Sequence, residues 1–248
     1  MTNQTQIAIA NVMKQYPIGK EFFTALKGIN LEIKSGEFSG IVGPSGSGKT
    51  TLLNLIGCLD IVTEGSINVL NNDVTTLSHE NAAKLRNEAI GFIFQTYNLL
   101  PVYTVFENVE FPLLLLNINA KKRTEMVLNA LDWIGLADKA HVRPNQLSGG
   151  QCQRVSIARA IVKKPKLILA DEPTANLDSE NSFVILDMMK KMNNELGTTF
   201  VFSTHDERVI KSVNRVITLK DGQIFSDKSK ENVITKACIQ KPYWSRGT

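Results

Sequence analysis

The chain has 248 residues, 43% of them hydrophobic, enough to bury the core of one large domain or of a domain carrying an insertion, and this composition excludes disorder as the default state. Its 28 basic and 24 acidic residues leave a net charge of +4, too small and too dispersed to be a nucleic-acid footprint. Cys58, Cys152 and Cys238 lie far apart and make neither a CxxC pair nor a Cys/His ligand spacing, which argues against a disulfide framework or zinc site and for a reducing cytoplasm.

The opening MTNQTQIAIANVMKQY lacks the basic region and apolar run of a secretion signal. The most apolar stretch, 111–116, is far shorter than the roughly 20 residues that span a bilayer, so a membrane connection would come through a partner. In chain order, alternating apolar residues predict strands over 7–13 and 25–33, and an apolar run predicts one over 38–42 entering the glycine-rich GPSGSGKT. A helix is expected from Lys49, turning Leu52, Leu53, Leu55 and Ile56 inward and ending near 57–60, followed by a short strand over 67–70. More than a hundred residues separate Lys49 from Asp171, where a simple crossover between parallel strands takes about 30, so an insertion is expected. Helical periodicity places it at about 96–163, with Val127, Leu128, Leu131 and Ile134 on one face and Val155, Ile157, Ala158, Ile161 and Val162 on another. Buried strands follow at 167–170 and 199–203, each ending in polar residues, with a helix over 180–192 between them. The expected fold is α/β, with an N-terminal antiparallel β-subdomain, a parallel-sheet core and the inserted helical subdomain making one domain over 1–227, then a basic tail at 228–248.

Two phosphate-binding signals stand about a hundred residues apart. In GxxxxGK[ST], the backbone N–H groups around Gly43, Ser45, Gly46, Ser47 and Gly48 close on phosphate oxygens, Lys49 supplies charge, and the Thr50 hydroxyl, followed by Thr51, suits Mg²⁺. In LSGGQ, Ser148 is an N-cap candidate, and Gly149, Gly150 and Gln151 open a helix whose free N–H groups make a second anion site. A helix start in an insertion is poorly placed to reach the first loop's ligand. Two copies packed head to tail resolve this, each LSGGQ closing over the other's nucleotide.

In open parallel sheets ligands sit at the carboxyl ends of strands, where Asp171, Glu172 and His205 converge. Adjacent residues at a strand end point to different sides, so Asp171 is assigned to the metal and Glu172 to polarising the attacking water. His205 would bond the γ-phosphate or hold that water. Gln95 would reach Mg²⁺ or water through its amide oxygen, and it also begins the insertion. Tyr16, read as lying in a loop before Pro17 and Gly19, is either a surface ring or an adenine-stacking one. Asp178 is either an N-cap or an interface residue.

Together, Gly43 to Thr50, Gln95, LSGGQ, LILADE at 167–172, NLD at 176–178 and His205 resemble an ATP-binding-cassette ATPase over about 7–224. The resemblance implies that Tyr16 stacks on adenine, Glu172 is the catalytic base, His205 the switch histidine and Asp178 part of a dimer-crossing loop. It also implies ATP and Mg²⁺ as ligands and a sandwich homodimer bound to an integral membrane permease. Such a protein would lie peripherally on the cytoplasmic side of the inner membrane, without itself inserting and without nucleic acid. LLNLIGCLD, GFIFQTYNLLPVYTVFENVEFPL and ADEPTANLDSENS resemble more narrowly the lipoprotein-releasing and macrolide-exporter subgroup, in which residues 98–105 would dock the permease's coupling helix. Three departures stand out: Cys152 where Gln is usual, Ala175 where Gly is usual, and Thr50 where Ser is frequent. A cell-division-type complex is an alternative. So is a soluble cassette acting on ribosomes or DNA, although the paired cassettes or coiled-coil insertion of such relatives are missing.

Overall fold

A computed structural model describes residues 4–230. Alternation in the first two strands drives a long hairpin: β1 (Thr5–Ile18) turns Ile7, Ile9 and Val12 inward and pairs antiparallel with β2 (Glu21–Lys34). Gly19, at φ 62, makes the left-handed turn between them. On its other edge β1 pairs with β4 (Glu64–Val69), which carries the short β5 (Asn72–Asp73), giving a four-stranded antiparallel sheet in the order β2-β1-β4-β5. The strand expected over 67–70 stops at Val69, because Leu70 and Asn71 turn through left-handed φ values of 54° and 65°.

The second sheet holds β3 (Phe38–Val42), β6 (Ile90–Ile93), β7 (Leu167–Asp171), β8 (Thr199–Thr204), β9 (Arg215–Lys220) and β10 (Gln223–Ser229), in the order β10-β9-β3-β8-β7-β6. All of its pairings are parallel except that of β10 with β9. The central strands read as continuous apolar runs because both faces are covered. On β8, Val201 joins the core toward the hairpin sheet and α1 (Lys49–Ile56), while Phe200 and Phe202 face α6 (Ser179–Leu196) and its Ile185, Met189 and Met192. Phe38 of β3 packs on both phenylalanines, with ring centroids 5.3 and 4.7 Å away.

Between Lys49 and Asp171 the chain does more than cross once. It makes α2 (His79–Ala89) and then β6, an additional parallel strand, before the helices α3 (Val105–Leu114), α4 (Ala120–Trp133) and α5 (Gly149–Ile161). These three helices close on a separate core that includes Val109, Leu113, Val127, Leu131 and Val155. After β8 comes α7 (Glu207–Ser212), and β10 runs to Ser229, two residues past the expected domain edge at 227. Lys228 and Ser229 pair with Val216 and Arg215, so they belong to the sheet rather than to a tail. Cys238 and the rest of the expected tail, 231–248, lie outside the described residues.

Candidate nucleotide site

β3 delivers the chain into the loop 43–48 at the carboxyl edge of the sheet. A Cβ on Gly43 would stand 2.1 Å from the Leu219 carbonyl oxygen, so only glycine passes there. Gly46 and Gly48 adopt φ of 78° and 102°, and the space beside Gly46 is open to 4 Å. Lys49, only 7% exposed, curls back to donate to the carbonyls of Gly43 (2.9 Å) and Pro44 (3.0 Å). The Ser47 hydroxyl is buried without a hydrogen-bond partner. A cradle with a buried ammonium, an orphaned hydroxyl and open space at Gly46 suits a polyphosphate.

α1 carries Thr50 toward the end of β7, where its hydroxyl donates to Asp171 at 3.0 and 3.3 Å. These hard oxygens, from helix and strand, are a donor set matched to Mg²⁺. Glu172 is held at φ 45°, a left-handed conformation that costs a non-glycine residue on the order of 1 kcal/mol and turns its carboxylate away from that of Asp171. One carboxylate oxygen accepts from Thr204 at 3.1 Å, and the other lies 2.6 Å from His205 Nδ1. Below them Thr174 donates to Asp206 at 2.8 Å, tying the segment after Glu172 to the loop after His205. Burial pushes the Asp206 carboxyl up, but its hydrogen bonds from Arg208 and Thr174 outweigh this and hold it below the usual range.

The second phosphate signal is built elsewhere: α1 packs on β2, β4, β7 and β8, whereas α5 packs on α3, α4, α6 and β6. At the start of α5, Ser148 and Gln151 form a reciprocal capping box, the Ser148 N–H donating to Gln151 at 2.9 Å. A Cβ on Gly150 would meet Asn181 Oδ1 at 2.6 Å, so any larger residue where α5 meets α6 would have to displace that side chain. Asn181 is bonded in turn through its backbone and its amide to Asp178, both at 2.8 Å, and Asp178 is therefore the N-cap of α6. The Gln95 carbonyl accepts from the Asn176 amide at 2.9 Å. Arg159 of α5 grips the two left-handed residues that follow, donating to the carbonyls of Tyr97 (2.7 Å) and Asn98 (2.5 Å).

Tyr16 lies in β1 opposite Phe23 rather than in a loop, and its phenol donates to Asp60 at 2.7 Å. Sequence reading passed over Thr204, Arg159, Lys14 and Asp60, and it took Asn176 only as part of the NLD motif. Thr204 had a signal, since it directly precedes His205 at a strand end. Asp60 had none.

Fold and site together define a phosphate-loop ATPase. The model of the ABC transporter family matches residues 26–175. The chain is similar in structure to a dimer of the ATP-binding cassette MJ0796 of Methanocaldococcus jannaschii in a post-hydrolysis state bound to ADP and Pi, with a TM-score of 0.86 and 44% identity, covering 91% of this chain and 99% of that one. It is 42% identical to the lipoprotein-releasing system ATP-binding protein LolD of Pseudoalteromonas translucida, over 92% of this chain and 98% of that protein. It is 43% identical to the macrolide export ATP-binding/permease protein MacB of Pasteurella multocida, over 97% of this chain but only 37% of that longer protein. The chain belongs to the ABC transporter family, as an ATP-binding, ATP-hydrolysing cassette consistent with the lipoprotein-release and macrolide-export subgroup.

Proposed function

We propose that two copies of this chain close head to tail over two ATP molecules and drive a membrane permease that exports a substrate or releases lipoproteins. The observation that supports this reading is the separation of the two phosphate signals onto α1 and α5, which share no packing partner among those given above, while Asp171, the neighbour of Glu172, is bonded to Thr50 of the first signal. Each site is completed by the partner's Ser148, Gly149, Gly150 and Gln151, with Asp178 at the crossing. Within one site the loop from Gly43 to Gly48, with Lys49, Thr50 and Thr51, holds the phosphates, and Tyr16 stacks on the base. Thr50, Asp171 and Gln95 would hold Mg²⁺, which would supply charge neutralisation for the phosphates. Glu172 takes a proton from water as its oxygen attacks the γ-phosphorus, ADP leaves, and His205 orients the water or the phosphate.

In this reading the permease is a separate chain or segment and this chain sits peripherally on its cytoplasmic side; among the described residues no helix is long and apolar enough to cross a membrane. Residues 98–105 meet the permease beside a groove of about 420 Å³ lined by Phe92, Phe94, Phe111 and Leu115 together with Arg86 and Lys163. Asn98 of this segment lines the groove, and Val102 of the same segment is 71% exposed. Purification from membranes tests the assignment. An integral membrane protein with a large external domain should copurify. Recovery only in a soluble ribosomal or DNA complex would defeat the assignment.

A further inference from the structure

Beside Tyr16 lies a charge cluster that the hydrolytic residues do not use. Lys14 and Tyr16, two residues apart on β1, share a face of the strand. Lys14 is only 8% exposed. Its ammonium lies 2.6 Å from Asp60 Oδ1, donates to the Ile61 carbonyl at 2.7 Å, and stands 4.7 Å from the centroid of the Tyr16 ring. The Tyr16 phenol donates to the other oxygen of the same carboxylate at 2.7 Å. Asp60 belongs to the segment leaving α1, and the Thr51 hydroxyl of that helix also lies beside the phenol. The ring is thus tied at its tip and backed on one face by a cation, both anchored to the segment that leaves α1.

We propose that Lys14 and Asp60 are positioning residues for the nucleotide base, locking the Tyr16 ring into a platform with the ammonium behind one face and the base against the other. This rests on Tyr16 being the stacking residue. A free tyrosine on a hairpin loses rotamer freedom when a base lands on it, whereas a tethered one has lost it already. A cation behind the ring also draws on its π-electrons and favours an electron-rich purine on the open face. The chemical class recognised is a purine base held at a fixed distance from its own triphosphate.

The test uses the full chain and displaces a fluorescent ATP analogue with two competitors, ATP and inorganic triphosphate, the second of which has no base. Tyr16→Phe keeps the ring but cuts the tether, and Asp60→Asn cuts it from the other end. Each should weaken ATP by about fivefold, the size of one exposed cation–π contact or of the ordering that one tether provides. The double variant should lose no more than either single one, Lys14→Met should match them, and Lys14→Arg should restore most of the affinity. Inorganic triphosphate should bind all of them as it binds the unmodified chain, an invariance that a merely structural role would not produce. Equal weakening of both competitors would overturn the inference in favour of a structural prop for α1. So would wild-type ATP affinity in Tyr16→Phe and Asp60→Asn alongside a loss in Tyr16→Ala. If Tyr16→Ala itself binds ATP normally, the base-stacking reading fails and the inference goes with it.

Discussion

Nδ1 of His205 lies 2.6 Å from Oε1 of Glu172, so a histidine side chain that is 67% exposed caps a carboxylate only 12% exposed. With Thr204 on the other oxygen, both acceptors of Glu172 are engaged. A glutamine at this position keeps the shape and can keep one of these bonds, but it cannot take a proton.

Glu172→Gln should therefore bind ATP, turn it over about 10²- to 10⁴-fold more slowly, and accumulate as a dimer when ATP and Mg²⁺ are present. Size-exclusion chromatography beside phosphate release reads both effects. A variant that stays monomeric and hydrolyses at the unmodified rate would remove Glu172 from its role.

Ser148→Arg fills the start of α5 with a long cation and removes the hydroxyl of the capping box. ATP binding to the same chain should survive, because the first loop is untouched, while turnover is abolished because the partner's nucleotide is not closed over. Loss of binding in the isolated variant would show that Ser148 serves its own chain's nucleotide, and the head-to-tail arrangement would fall.

Gly150→Ala should destabilise the chain by about 1–3 kcal/mol, since the new methyl meets Asn181 Oδ1 at 2.6 Å and that side chain is held by Asp178. Adding Asn181→Ala opens the space and should recover most of the loss in a thermal melt. An unaltered melting temperature in the single variant would mean that the Asn181 side chain gives way despite its bond to Asp178.

Burial pushes the Lys163 ammonium down from 10.5 to about 8. Between these values the unfolded chain holds a proton that the folded chain has released, so this group makes stability rise with pH across the window, with no slope below it where both states are charged. Urea midpoints from pH 8 to 10 should therefore climb more steeply for the unmodified chain than for Lys163→Met. Parallel curves would show that the lysine is solvated.

Much of the site is legible from spacing alone, because a phosphate loop constrains its glycines locally and β7 and β8 are apolar runs ending in acid or histidine. The strand expected over 38–42 and the helix from Lys49 lie where the periodicity puts them. α2 left no such trace, since none of its residues is buried and no apolar stripe forms. β6 has only four residues, too short a run to separate from its helical surroundings. Tyr16 reads as loop because Pro17 and Gly19 follow, yet Pro17 is tolerated in β1. There the strand pairs only with β2, so the missing N–H faces an open edge. The links that assemble the site, Thr204 to Glu172, Asn176 to Gln95 and Asp60 to Tyr16, join residues 32, 81 and 44 positions apart, and no local pattern announces contacts of that range.

The sheet order has a metrical consequence. β8 lies between β3 and β7, so the phosphate loop and the two carboxylates spring from strands two ladder spacings apart, about 10 Å, with His205 emerging from the strand between. That interval is ruled by main-chain hydrogen bonds, and no side-chain substitution can stretch it. The distance available between the cradle of a terminal phosphate and the group that activates water is inherited from the backbone. Variation in this chain can retune the groups at either end of the ruler while its length stays the same.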